Sequence, residues 1–469
     1  MLTFLFDYQA KAPMYEQLYK FIRKEIENGN LEAEEKLPSK RALASHLKIS
    51  TVTVEAAYAQ LVAEGYLKSV PRSGFFAQPL NAFPPETSAD PTAFPAEKIR
   101  EHYDYDFKTS AVDTKLFPFS TWAKLGREIL SQGSDALLNI THPQGAYELR
   151  NEIATYLHDF RGIKARPEQI VVGAGSEYMM GLLIQLLGRE HLYAVENPGY
   201  GKIFHTMQRN GATTIPIALD AEGLSVAKLK MTKANIAHVT PSHQFPLGII
   251  MPVSRRLSLL NWANEKEGRY IVEDDYDSEF RFSGQPIPAL QGLDASEKVI
   301  YLNAFTKSLA PSLRISYMVL PWHLLEKYRE SFLFYSCTVP NFEQYILSNF
   351  MAKGHFEHHL RRMRNAYKEK RDYFMNAVTK SRLGKTVRFI GYDAGLHLLM
   401  ELDNGLDEKT LVEKAKNIGI RVYGLSEYYH FPAENLPRST IVIGYSGLCP
   451  SEIEAAVKKL EIAWQNELK

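Results

Sequence analysis

Seven short apolar runs recur between residues 169 and 321, and residues suited to ligand contact close most of them: QIVVGAG, HLYAVENPGY, TTIPIAL, AHVTPSH, RYIVEDDYD, KVIYLNAF and LRISYMVLP. Segments with helical apolar spacing separate them. Strand-length runs that alternate with helices predict a mainly parallel sheet covered by helices. In such sheets ligands gather at the carboxyl ends of the strands, so chemistry is expected there. Beyond about residue 325 come longer helices, including FEQYILSNFMAKGHFEHHLRRMRNAYKEKRDYFMNAV, and then a small α+β segment ending in STIVIGYSGL.

The first 77 residues follow a different pattern. Tyr15, Leu18, Tyr19, Ile22 and Ile26 recur at helical spacing and predict a first helix. A second starts at LPSKRALASHL, where Pro38 blocks backward extension, Ser39 can cap, and Leu43 and Leu47 face inward. A third runs through TVTVEAAYAQLVAEG, with Val54, Ala57, Tyr58 and Leu61 on one face and Gly65 as its stop. YLKSVPRSGFFAQ then reads as a short hairpin about a Pro-Arg-Ser-Gly tip. Together these predict a winged helix-turn-helix domain over 1–77. The Pro-rich stretch QPLNAFPPETSADPTAFPAEKIREH has no periodicity and is expected to be a linker over 78–103, which leaves 104–469 as the larger domain.

Charge and cysteine content act as exclusions. With 55 basic and 54 acidic side chains, overall charge indicates no polyanionic partner, and 1–77 itself carries ten basic against nine acidic residues, a net +1. A DNA contact must therefore come from a local basic face. Cys337 and Cys449 stand far apart without CxxC or His-rich context, so neither a disulfide framework nor a metal site is expected, and a reducing cytoplasm fits. The N-terminus lacks the pattern of a signal peptide, and no apolar run approaches the roughly 18 residues of a membrane span.

Four strand ends carry residue types that suit pyridoxal 5'-phosphate (PLP). A covalent link to its aldehyde needs a neutral amine, and Lys307, closing a buried run, can have its pKa lowered from the usual 10.4 or so. The pyridine nitrogen needs an acid, which Asp274 offers, with Tyr276 in reach of the ring hydroxyl. The phosphate needs amides and a cation; GAGSEYM presents Gly175, Ser176 and Glu177 at a helix start, and Arg314 supplies the charge. Tyr200, in ENPGY, can cover the ring. Alone, each feature is more often a surface charge, a solvated turn or packing. In this order, each at a strand end, they define a site.

The segments THPQGAYELRNEIATYL, GAGSEYMMGLL, ENPGY, TPSHQFPLG, EDDYDSEF and FTKSLAPSLRISY resemble the aspartate aminotransferase fold of PLP enzymes over about 104–465. The resemblance implies Lys307 as the Schiff-base lysine, Asp274 at the pyridine nitrogen, Tyr276 at the ring oxygen, Tyr200 stacked on the ring, and Arg314 with Ser176 at the phosphate. Either His243 or Gln244 stands where those enzymes have an asparagine beside the ring oxygen. IVIGYSG is apolar where they carry an arginine for the substrate carboxylate, so Arg421 is the best substitute and Arg438 the second.

The first 77 residues resemble GntR-type winged helices through LPSKRALASHLKISTVTVEAAYAQLVAEGYLKSVPRSGFF. A GntR-like head on an aminotransferase-like body resembles the MocR subfamily of bacterial transcription regulators. That resemblance implies DNA contacts from Ser39, Lys40 and Arg41, from Ser50, Thr51 and Thr53 at the start of a recognition helix, and from Arg72 and Gly74 at the wing tip. It also implies a head-to-tail homodimer on double-stranded operator DNA. The expected function is a cytoplasmic, PLP-dependent regulator that senses a small amino compound, or PLP itself, with at most residual transaminase activity. The alternative is a working aminotransferase with a DNA-binding appendage. The γ-aminobutyrate-responsive member of the subfamily, by the same resemblance, carries arginine two residues past the stacking tyrosine; Lys202 stands there in this sequence and is a candidate effector contact.

Overall fold

The computed structural model describes residues 4–80, 102–282, 284, 287–432 and 436–465, so most of the expected linker lies outside the described residues. The chain forms two units, Met1–Arg100 and Glu101–Lys469. In the first, helix α1 (Met14–Glu27) buries Leu18, Ile22 and Ile26. Tyr15 and Tyr19, on the face expected to be apolar, keep their hydroxyls outside; that of Tyr19 donates to Glu64 at 2.6 Å. Strand β1 (Lys36–Leu37) precedes α2 (Lys40–Leu47), whose first turn is closed by Ser39 Oγ accepting from the Ala42 N–H at 3.2 Å. Helix α3 (Thr51–Ala63) buries Val54, Ala57, Tyr58 and Leu61. Strands β2 (Leu67–Val70) and β3 (Gly74–Ala77) form the wing, and β1 adds to β3 as a third strand that the sequence pattern had not revealed.

The second unit opens with β4 (Tyr105–Asp106), α4 (Phe119–Gln132) and α5 (Tyr147–Arg161). Its large sheet follows: β5 (Ile170–Gly173), α6 (Ser176–Leu187), β6 (Leu192–Asn197), α7 (Gly201–Arg209), β7 (Thr213–Asp220), β8 (Gly223–Leu224), β9 (Ile236–Val239), β10 (Tyr270–Asp274), β11 (Val299–Ala304) and β12 (Ser316–Val319). The strand order is β5-β12-β11-β10-β9-β6-β7-β8. Side chains alternate across it. Val171, Ile300, Leu302 and Met318 pack with Met179, Met180 and Leu183 on one face, while Ile170, Val172, Tyr301 and Tyr317 pack with Leu149 and Ile153 on the other.

Strand β12 runs antiparallel to both its neighbours. A parallel return needs a crossover of a dozen or more residues, and the link between Ala304 and Ser316 is shorter. The consequence is positional. Lys307 and Arg314 sit on one short connection at the carboxyl end of β11.

A second sheet, β13 (Val387–Ile390), β14 (His397–Leu402), β16 (Tyr423–Gly424) and β17 (Thr440–Gly444), is antiparallel in the order β13-β14-β17-β16, while β15 (Ile420–Arg421) pairs with β4. The long helical stretch before it breaks at Gly354, in the left-handed region at φ +71, into helices Asn341–Ala352 and His355–Lys380. No helix among the described residues is long and apolar enough to cross a membrane.

The loop after β10 is held by a buried ion pair. Arg161, the last residue of α5, donates from Nε to Asp275 Oδ2 at 2.9 Å and from Nη2 to Ser242 Oγ at 2.8 Å, and the Tyr301 and Ser278 hydroxyls donate to the same carboxylate oxygen. Removing one partner strands a buried charge. Arg161→Ala is expected to destabilise the body by about 3–5 kcal/mol, read as a lower thermal unfolding midpoint, with Arg161→Ala/Asp275→Asn recovering part of the loss.

Candidate functional site

Lys307 stands in the turn after β11 with its Nζ donating to the Thr109 carbonyl at 2.6 Å. Burial holds its pKa down at about 8, against an upward pull from Asp277, and Lys108 adds to the lowering. About a tenth of such amines are neutral at pH 7, against fewer than roughly one in a thousand at the ordinary lysine value.

A cavity opens between this lysine, Asp274 at the end of β10, Tyr200 at the end of β6, and the start of α6. Asp274 is buried, with His238 Nε2, from β9, 3.4 Å from its Oδ2. Tyr276 follows two residues on; burial drives its pKa well above 10, with Asp277, Asp274 and Glu196 adding to the rise, so its hydroxyl stays protonated. Tyr200 meets Phe245 edge to face at 5.4 Å between ring centroids.

The turn into α6 makes the other wall. Gly175 takes φ +96, and a Cβ there would collide with the Arg314 guanidinium. Arg314 donates from Nη2 to Glu177 Oε2 at 2.6 Å and to the Ala174 carbonyl at 3.3 Å. Lys202 contacts the second oxygen of Glu177. One carboxylate thus balances two cations at the N-terminus of a twelve-residue helix. Ser316 Oγ, bordering the same space, is buried without a hydrogen-bond partner. A cradle left open by glycine, two cations, the first-turn amides of a helix and a lone hydroxyl suit a phosphate group. The residues present therefore fit PLP.

The fold brings together Lys307, Asp274, Tyr276, Tyr200, Ser176, Glu177, Arg314 and Lys202 around the cavity. Other expectations need correction. The Gly175 N–H is taken by the Gly173 carbonyl at 3.0 Å, so Gly175 contributes its missing side chain and not its amide. The Gln244 amide group is consumed by Glu196 and Pro198 at the end of β6 and by Phe245 and Leu247 in its own loop, which leaves His243 as the residue near Tyr276. Arg421 is exposed on β15, its guanidinium over the rings of Tyr103 and Tyr423, and Arg438 is exposed before β17. Neither borders the cavity, where the cations among the described residues are Lys202, Lys307 and Arg314.

Asp277, His397, Phe245 and Asn303 also border the cavity and were missed. Asp277 lies inside EDDYDSEF, where a third acid reads as one more turn residue. His397, alone in an apolar strand 90 residues beyond Lys307, carries no local signal.

In the head, Arg41, Thr51 and Arg72 point outward. Arg72, at φ +61, and Gly74, at φ +123, shape the wing tip. Lys40 is held by Glu55 at 2.5 Å and lies over the Phe75 ring. Ser50 Oγ accepts the Thr53 N–H at 3.1 Å and lies 2.8 Å from its hydroxyl, so the pair caps α3, as Ser39 caps α2. Val52, an apolar side chain in the first turn of α3, is 72% exposed.

Comparison with known proteins agrees with this geometry. Residues 106–460 match the family described as aminotransferase class I and II, and residues 14–77 match bacterial regulatory proteins of the gntR family. The chain is similar to an uncharacterised HTH-type transcriptional regulator, YdeL, of Bacillus subtilis, at 41% identity covering 97% of each chain. It is also similar to a probable rhizopine catabolism regulatory protein, MocR, of Rhizobium meliloti, at 33% identity covering 98% of this chain and 95% of that one. Among solved structures, an archaeal alanine:glyoxylate aminotransferase superposes with a TM-score of 0.69 at 24% identity, covering 78% of this chain and 91% of that one, which establishes the fold of the body.

The pKa of Lys307 sets a pH dependence. Below about 8 the amine is mostly protonated, and its reactive fraction falls tenfold per unit. The rate at which apo-protein binds PLP covalently, followed by visible absorbance, is expected to rise about tenfold per pH unit up to about pH 8 and then level off; a rise continuing to about 10 marks a solvated lysine instead.

Proposed function

Since the chain belongs to the MocR subfamily of GntR-type transcription regulators, with an aminotransferase class I and II body, we propose that it binds operator DNA through its head and senses a small amino compound through PLP held at Lys307. The observation that carries this reading is the lowered pKa of Lys307 in a cavity whose far wall is the open cradle of Gly175, Ser176 and Arg314. Bound PLP supplies an aldehyde carbon that accepts one primary amine at a time, so an amino compound competes with Lys307 for it. Asp274 pairs with the pyridine nitrogen, with His238 behind it. Tyr276 faces the ring oxygen, and Tyr200 covers the ring. The Ser176 and Glu177 amides, with Arg314, hold the phosphate.

With Lys307 and Arg314 given to PLP, Lys202, which Glu177 also holds, is the cation we assign to an effector carboxylate, and the rest of the wall, with Phe245, Leu396 and Tyr317, favours an apolar body. A lysine offers a point charge where arginine offers a planar fork, so planar bidentate selection is absent. Strand β17, where the aminotransferases by resemblance carry a carboxylate-binding arginine, is buried and apolar through Ile441, Val442 and Ile443. This weighs for a regulator and against a dedicated enzyme.

Signal transfer requires the effector to bind two conformations with different affinity. A head-to-tail homodimer would place two heads on two half-sites. In each head Thr51 and Val52 would enter the major groove, Arg41 would grip a phosphate, and Arg72 would lead the wing.

Purified protein is expected to show a visible PLP band that Lys307→Ala abolishes while operator binding persists. Titration with a panel of amino acids and amines is expected to shift that band without release of keto acid; stoichiometric keto acid, with recovery on adding a second keto acid, would establish the enzyme reading. Arg41→Ala is expected to weaken operator binding across sequences and to lower the salt slope of log K by about 1, measured by fluorescence anisotropy at several salt concentrations.

A further inference from the structure

Beside Tyr276 lies a buried group that no motif brought together. His243 Nδ1 is 2.9 Å from Asp277 Oδ2 and 3.1 Å from the Tyr276 hydroxyl oxygen, and His243 and Asp277 are each 2% exposed. His397, from β14, packs its ring 4.8 Å from that of His243 and has its Nε2 3.0 Å from the Pro246 carbonyl, which fixes its proton on Nε2. Ligand-type atoms of His243, Asp277 and His397 all lie within 4.8 Å of one another. The loop before β14 makes room for this: a Cβ on Gly395 would collide with both the His243 ring and the Asp277 carboxylate.

The His243 tautomer follows from its partners. Its Nε2 is buried without a hydrogen-bond partner. A proton on Nε2 would be an unpaired buried donor, and the bare Nδ1 would then face the Asp277 carboxylate lone pair to lone pair. A proton on Nδ1 is instead donated to Asp277, leaving only an unpaired acceptor. In that state His243 offers Tyr276 no lone pair. Asp277 is also within hydrogen-bond reach of the Tyr276 hydroxyl, so His243, by donating to that carboxylate, competes with Tyr276 for it.

We propose that His243 and Asp277 are a positioning pair for Tyr276: by committing the imidazole proton to the carboxylate, they direct the Tyr276 O–H at the ring oxygen of PLP. The proposal rests on reading the cavity as a PLP site. The groups that face His243 are Asp277 and Tyr276 from the loop after β10 and His397 from β14, with Lys307 facing Asp277 and His397 from the turn after β11. A hydrogen bond donated to the ring oxygen stabilises its anionic form. Losing that bond makes the cofactor hold its proton more tightly.

The test is a pH titration, from 6 to 10, of the visible absorbance of the PLP-loaded full chain. His243→Leu is expected to raise the spectral midpoint by about one unit, a tenfold change in proton affinity. His243→Asn, whose amide N–H takes the place of Nδ1–H, is expected to restore it. Tyr276→Phe is expected to raise the midpoint by itself and to make His243→Leu silent in that background, an outcome a merely structural histidine would not give. Should His243→Leu not fold, as judged by circular dichroism, His243→Met removes the same hydrogen bond with a more adaptable side chain. A midpoint unchanged by either variant, or a shift that persists in Tyr276→Phe, overturns the proposal while the PLP reading stands. Absence of any visible band in the wild-type protein with added PLP overturns both.

Discussion

The desolvation of one amine is the constraint on which the site depends. A lysine at a solvated strand end would stay protonated and inert; Lys307 is held down to about pH 8 because the turn after β11 carries it under the Thr109 carbonyl and into the wall of the cavity. The same burial makes the charged form costly. Asp277 offsets part of that cost from across the cavity, so the amine is poised between its two states and not locked in one.

Charge in the cavity is balanced locally. Glu177 answers Arg314 and Lys202 at the N-terminus of α6, Asp274 has His238 behind it, and Asp277 has His243 and Lys307. A ligand phosphate that arrives at α6 meets a preformed set of cations whose carboxylate partner must share them. The loop after β10, clamped by Arg161 through Asp275, keeps Asp274, Tyr276 and Asp277 in one frame while strands on either side supply their partners.

Much of this was legible in the sequence because the signals are local. Ser39 caps α2 where its spacing placed it, and the strand-end motifs converge on one cavity. Legibility failed where one residue type has several uses. Ser50 and Thr53 could donate to DNA or to a helix end, and their spacing satisfies the helix first. Arg421 stood near a suitable strand, yet a two-residue pairing with β4 turns it to the surface, against Tyr103 and Tyr423.

The sequence by itself determined the two kinds of domain, the family, and the residues that end each strand, since apolar period and glycine, proline and capping positions act over a few residues. Only the tertiary structure decided that Gly175 serves by lacking a side chain, that Gln244 is tied to the end of β6 and to its own loop, and that His243, Asp277 and His397 meet. The first follows from the approach of Arg314 and the second from competition among hydrogen bonds. The third depends on β14 packing its His397 against a loop more than a hundred residues earlier in the chain, a contact between segments whose separate sequences hold no record of each other.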